Sequence, residues 1–164
     1  MGEKKGEVIL LVDDTEFLLE TYTVILEDEG YETCAVTSAE KMFEMLKTRR
    51  PSLIILDVEM PGMNGFDAAR KLRASTEYRD IPIIFLTAHT NPEFETEGFD
   101  VGAVDYIYKP VLAKTLLMRV ETQIMLKNQK RDIMKLQETT LKLQETTSKL
   151  QERIMRMSVG AEAV

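Results

Sequence analysis

The sequence predicts an open, doubly wound α/β fold, with five parallel strands between helices, followed by a long helix that pairs as a coiled coil. Three observations predict it. Short, continuous apolar runs alternate with stretches whose apolar residues recur at helical spacing. Those runs are apolar throughout rather than alternating, the pattern of a parallel sheet covered on both faces. The last part of the chain repeats every seven residues, the period of a coiled-coil seam.

The elements follow in order. Val8–Val12 (VILLV) reads as the first strand and runs into two acids, Asp13 and Asp14. Phe17, Leu18, Tyr22, Ile25 and Leu26 then recur at helical spacing, and Gly30 closes the stretch. Glu32–Val36 is a short strand. Ser38 is a good N-cap for a helix carrying Met42, Phe43, Met45 and Leu46. Leu53–Leu56 (LIIL) is a buried strand ending at Asp57. Met60–Gly65 is a turn, rich in Pro61, Gly62, Asn64 and Gly65. Phe66–Arg73 reads as helix and Ile81–Leu86 as strand, with Thr87 at its end. Pro92–Gly102 is a short helix opened by proline in its first turn. Asp105–Tyr108 is the last strand, and Lys109–Pro110 follows it.

No Gly or Pro occurs from Val111 through Val159. Residues 135–155 read KLQETTL KLQETTS KLQERIM. With Ile133 at heptad position a, the a positions are Ile133, Thr140, Thr147 and Ile154, and the d positions are Leu136, Leu143, Leu150 and Met157. Apolar d positions over four heptads predict a coiled coil; the two threonines at a weaken it. The division expected is an α/β domain over residues 1–125, then a coiled-coil helix and short tail over 126–164.

Composition excludes several classes. At 164 residues and 44% hydrophobic, the chain can bury one core. The single cysteine, Cys34, excludes a disulfide framework and a cysteine-rich zinc site. The single histidine, His89, excludes a multi-histidine metal centre. No apolar run approaches the roughly 20 residues that span a bilayer, and Met1–Glu7 is too charged for a signal peptide. The expectation is a cytoplasmic protein without membrane insertion. Residues 1–111 hold 22 acidic and 11 basic residues, a charge of −11; residues 112–164 hold 6 and 10, a charge of +4, within −7 overall. An acidic body is a poor nucleic-acid binder, so no direct nucleic-acid contact is expected.

The strand ends carry the chemistry. In open α/β sheets, sites form beyond the carboxyl ends of the strands. Asp13, Asp14, Asp57, Thr87 and Lys109 all stand there in the predicted order. Carboxylates packed together repel one another unless a cation intervenes. Hard oxygen donors suit Mg²⁺, which keeps several waters. An aspartate can also be a nucleophile toward phosphorus, giving an aspartyl phosphate. A metal, a lysine and a hydroxyl would then share the phosphoryl oxygens.

The motifs VDDTEF, DVEMPGMNG, FLTA and DYIYKP, in that order, resemble those of the receiver domains of bacterial two-component response regulators. The resemblance covers roughly residues 7–125. It implies a (βα)5, flavodoxin-like fold with sheet order 2-1-3-4-5 and Asp57 as phosphoacceptor. It implies Mg²⁺ held by Asp14, Asp57 and the backbone carbonyl of Glu59, with Asp13 acting through water. It further implies catalytic roles for Thr87 and Lys109, a switch formed by Thr87 and Tyr106, and a cis bond before Pro110. Glu59 and His89 lie two residues after Asp57 and Thr87, and by the same resemblance flank the path of the hydrolytic water and set the lifetime of the phosphoryl group.

The partners expected are a sensor histidine kinase or phosphotransfer protein, a second copy joined through the coiled coil, and either an output domain beyond residue 164 or, for a stand-alone regulator, a partner protein reached by contact. The segments VGAVDYIYKP and RVETQ are similar to receivers placed ahead of cyclic-di-GMP enzymes. The protein is read as a phosphoacceptor rather than an enzyme. Two other classes are open: a Mg²⁺-dependent phosphatase with an aspartate nucleophile, and an inactive receiver-like adaptor. In haloacid-dehalogenase-type phosphatases a second Asp follows the nucleophile by two residues; here that residue is Glu59.

Overall fold

The computed structural model describes residues 6–161. The chain divides between Met125 and Leu126 into two units.

In the first unit, five parallel strands form one sheet in the order β2-β1-β3-β4-β5. They are β1 (Val8–Val12), β2 (Glu32–Val36), β3 (Leu53–Asp57), β4 (Ile83–Thr87) and β5 (Asp105–Tyr108). Between them run α1 (Glu16–Asp28), α2 (Ala39–Leu46), α3 (Gly65–Ala74) and α4 (Pro92–Asp100), and α5 (Ala113–Ala161) follows. This is the predicted doubly wound order.

Alternation along the strands supplies two apolar layers. Leu10, Val12, Ile54, Leu56, Ile83 and Phe85 pack with Met42 and Leu46 of α2 and Phe66 and Leu72 of α3. Ile9, Leu11, Leu53, Ile55, Ile84 and Leu86 pack with Leu19, Tyr22 and Leu26 of α1 and Leu116, Val120 and Ile124 of α5. Both faces being covered explains why β1 is apolar throughout and why β3 and β4 are apolar up to their last residues, Asp57 and Thr87. Each fully buried Leu or Ile contributes about 1.5–3 kcal/mol relative to exposure.

The caps are local. Ser38 accepts from Lys41 N at 3.2 Å, Asn64 from Asp67 N at 2.9 Å and Asn91 from Glu93 N at 2.9 Å. Gly65 starts α3 where a Cβ would run into the Asp57 carbonyl oxygen and Val58 Cα. Only glycine allows the turn after β3 to fold back so tightly.

Some boundaries differ from those predicted. β4 begins at Ile83, not Ile81: Pro82 has no N–H for the ladder, although its carbonyl accepts from Ile54 N. β3 extends through Asp57, and α4 ends at Asp100, with Gly102 beyond it. Phe17, grouped in the sequence with the core positions of α1, is 73% exposed. The helix instead buries Leu19, Tyr22 and Leu26, and Phe17 lies two residues from Leu19, on the other side of the helical wheel.

Arg73 fastens the end of α3. Its guanidinium donates to the carbonyls of Arg79 at 2.8 Å, Ile81 at 2.9 Å and Gly102 at 2.8 Å and 3.2 Å.

The second unit continues α5 through Ala161. Its heptad residues are exposed in the single chain: Ile133 55%, Leu136 67%, Leu143 63%, Leu150 51%, Ile154 65% and Met157 73%. Thr140 and Thr147 return their hydroxyls to the carbonyls of Leu136 and Leu143, each at 2.9 Å. Among the described residues, no helix is long and apolar enough to cross a membrane.

Candidate functional site

The carboxyl ends of β1, β3 and β5 bring four charged residues together. Asp13 follows β1 and is 1% exposed, whereas Asp14, next in the chain, is exposed. Asp13 Oδ1 accepts from Thr15 N at 2.9 Å, which holds its carboxylate at the entry to α1. Asp57 is the last residue of β3 and is 2% exposed. Lys109 follows β5, where its own N–H donates to the Thr87 carbonyl at 2.8 Å. Its ammonium donates to Asp13 Oδ2 at 2.8 Å and lies 3.2 Å from Asp57 Oδ1. The Lys109–Pro110 peptide bond is cis.

The electrostatics follow from burial. Loss of water around Asp57, reinforced by the negative charge of Asp13, pushes its carboxyl up from 3.8 to about 6, against the pull of Lys109 and the Glu59 N–H. For Lys109, burial works against the charged form, but the hydrogen bond to Asp13 and the charges of Asp57 and Asp13 outweigh it and raise its pKa. Burial also raises the Tyr22 hydroxyl, whose surroundings include the charges of Lys109, Asp13 and Asp57.

Asp13, Asp14 and Asp57 each offer one carboxylate oxygen within 4.8 Å of the others. Three carboxylates face one ammonium, and two of the three are buried. Such an excess of hard oxygen donors fits a divalent cation of the Mg²⁺ type. The Glu59 side chain is not part of this group. Its backbone N–H donates to Asp57 Oδ1 at 3.3 Å, while its carboxylate turns to His89 Nε2 at 2.5 Å.

That Glu59–His89 pair forms a second cluster, with both side chains about half exposed. Thr87 ends β4 and is fully buried, and its Oγ1 accepts from His89 N at 3.0 Å. The His89 ring stacks on Phe94 of α4, centroids 4.7 Å apart. Phe94 O in turn accepts from the Tyr106 hydroxyl at 3.1 Å. Tyr106 is 6% exposed, between Phe85 and Phe99. The ring lies inward, with its hydroxyl on α4.

The structure thus gathers Asp13, Asp14, Asp57 and Lys109, places Thr87, Glu59 and His89 in a linked cluster, and sets Tyr106 in the crevice between α4 and β5. Among the described residues, the apolar heptad positions stay exposed. Sequence reasoning missed Phe94 and Gly98, both on α4. A glycine inside a helical stretch was the available signal for Gly98.

A family model for the response regulator receiver domain matches residues 9–121. The DNA-binding response regulator MtrA of Mycolicibacterium paratuberculosis is 39% identical over 116 residues, 71% of this chain and 50% of that protein. The phosphate regulon transcriptional regulatory protein PhoB of Pseudomonas aeruginosa is 38% identical over 116 residues, 71% of this chain and 51% of that protein. Among solved structures, the chemotaxis protein CheY4 of Vibrio cholerae aligns with a TM-score of 0.68 and 33% identity, over 71% of this chain and 97% of that one. The chain spans about half the length of the curated relatives it matches. MtrA is a DNA-binding response regulator, in contrast to the expectation from sequence of no nucleic-acid contact for this chain. With the sheet order, the acidic cluster and this match over most of its length, the chain belongs to the response regulator receiver domain family.

Proposed function

We propose that this receiver domain accepts a phosphoryl group on Asp57 from a histidine kinase or phosphotransfer protein. The observation that carries the reading is the buried Asp57 carboxylate, set between Asp13 and the Lys109 ammonium, with its pKa raised to about 6. A buried carboxylate beside a fixed cation is a preorganised nucleophile. Oδ1 is engaged by Lys109 and Glu59 N, so Oδ2 is the attacking oxygen. It forms the new P–O bond as the donor's P–N bond breaks. Lys109 neutralises one phosphoryl oxygen, and the Thr87 hydroxyl, released from His89 N, donates to another.

Asp13, Asp14, Asp57 and the Glu59 backbone would hold the metal. A Mg²⁺ ion bound there supplies charge neutralisation for the phosphoryl oxygens. Glu59 and His89, joined at 2.5 Å, stand on the water path and tune dephosphorylation. The protein acts as a signalling domain in the cytoplasm, not as a turnover enzyme.

Residues 1–125 are the receiver. Residues 126–164 are a coiled-coil helix and tail that join two copies and pass the state of Asp57 to a partner or output domain. A second copy suits the exposed seam, because in its first two heptads the flanking e and g positions Gln137, Gln144, Thr139 and Thr146 are uncharged and set no like charges against each other, and Arg153 is the charged g position of the third. The threonines at a have hydroxyls satisfied by their own helix, which lowers the cost of burying them.

Beryllofluoride binding with Mg²⁺, followed by fluorine NMR, tests the acceptor role. Saturable binding by the wild type that vanishes in Asp57→Asn is expected. Equal binding by the variant overturns it.

A further inference from the structure

Gly98 lies within the last turn of α4, buried, with no left-handed backbone angle to require glycine. Glycine in a helix interior is destabilising relative to alanine. The helix does not need it for a turn either, because Gly102, with φ +94°, serves the exit. A steric reason remains. A Cβ added at Gly98 would fall on the Tyr106 hydroxyl and the adjoining ring edge, closer than any real contact.

Within the crevice the ring is held between two aromatic neighbours. Tyr106 is flanked by Phe85, centroids 5.4 Å apart, and by Phe99, 5.7 Å apart. Its hydroxyl is held on Phe94 O at 3.1 Å. Packing this close transmits displacement rather than absorbing it.

We propose that Gly98 is the positioning residue for Tyr106: the missing side chain at this one point of α4 is the seat of the inward ring, and any Cβ there drives Tyr106 out of the crevice. Its consequence for signalling rests on the reading above, in which Thr87 and Tyr106 form the switch. Tyr106 holds Phe94 O, the Phe94 ring lies against His89, and His89 N holds Thr87 Oγ1. Emptying the seat therefore disturbs the Thr87 end of the same chain of contacts. By reciprocity, a phosphoryl mimic that favours the inward ring binds more weakly when the ring is expelled.

The test uses four full-length proteins: wild type, Gly98→Ala, Tyr106→Ala and the double variant. Without ligand, Gly98→Ala should lower the melting temperature and expose Tyr106 to nitration, located by peptide mass spectrometry. In the Tyr106→Ala background the same substitution should raise the melting temperature, because only helix propensity remains. If Gly98→Ala alone does not fold, recovery of folding in the double variant supports the seat equally. With Mg²⁺, Gly98→Ala should weaken beryllofluoride affinity by roughly fivefold or more, and should change nothing once Tyr106 is alanine.

Tyr106 still protected in Gly98→Ala overturns the proposal. So does a melting shift of the same sign and size in both backgrounds, or an affinity loss that persists without Tyr106. A wild type that binds no mimic, beside the expected ligand-free cycle, refutes the phosphoacceptor reading and supports the Gly98 assignment.

Discussion

The Lys109 ammonium lies 3.2 Å from Asp57 Oδ1, although 52 positions separate the two residues in the numbering. Parallel pairing creates that proximity, because β3, β4 and β5 are successive neighbours and each delivers its carboxyl end to the same edge. The same ammonium also holds Asp13 at 2.8 Å, so it is the counterion of two buried carboxylates at once.

Removing it should therefore be costly. Lys109→Ala leaves Asp13 and Asp57 facing each other with no side-chain cation between them. Breaking a largely buried pair of this kind costs about 3 kcal/mol. Chemical denaturation in the presence of a chelator should show that loss, and added Mg²⁺ should restore part of it. An unchanged unfolding midpoint would contradict the pairing.

Asp57 gives a signed pH dependence. Its carboxyl is pushed up from 3.8 to about 6, so between those values the folded state keeps a proton that the unfolded state releases. Unfolding free energy then falls as pH rises through that window, by on the order of 3 kcal/mol in all, and the loss is complete above about pH 6. Asparagine does not ionise. In chelator, Asp57→Asn should be more stable than wild type at pH 7.5, and the difference should close near pH 4. Thermal unfolding across this range checks it; a variant less stable at pH 7.5 would be the contrary result.

The Glu59–His89 pair should set the lifetime of the acyl phosphate. Glu59→Asn removes a negative charge two residues from Asp57, and His89→Ala removes its partner and the ring stacked on Phe94. Each substitution should change the dephosphorylation rate by several-fold, measured as phosphate release after removal of the donor. Rates unchanged from wild type in both variants would exclude the pair from that role.

The tail offers a test by strengthening rather than loss. Thr140→Ile and Thr147→Ile together replace the polar a positions with the residue favoured there in two-stranded coiled coils. The pair should tighten self-association by tenfold or more, about 1.4 kcal/mol, in sedimentation equilibrium. Leu143→Lys should weaken it. If neither substitution alters the oligomeric state, the seam does not join two copies.

Much of the site was legible because strand ends in a parallel sheet are chemically conspicuous. Asp13, Asp57, Thr87 and Lys109 each follow or end a short strand, and one rule about where such sheets bind ligands collects them. What stayed hidden depended on the angle between helix and sheet. Phe17 has the spacing of a core residue but faces away from Leu19, Tyr22 and Leu26. Gly98 and Phe94 acquire their roles only when α4 is laid against β5, and Arg73 only when three separate carbonyls converge on it. Periodicity also identifies which residues share the tail's seam without naming what covers it, since spacing is a property of one helix and burial a property of two.

The central claim is that Asp57 is the acceptor. The most direct measurement is intact-mass and peptide mass spectrometry of the full chain after treatment with acetyl phosphate and Mg²⁺. The account predicts one added phosphoryl group, mapped to Asp57, absent when Mg²⁺ is chelated and absent in Asp57→Asn. A phosphoryl group that persists in Asp57→Asn, or a wild type that acquires none, would contradict it.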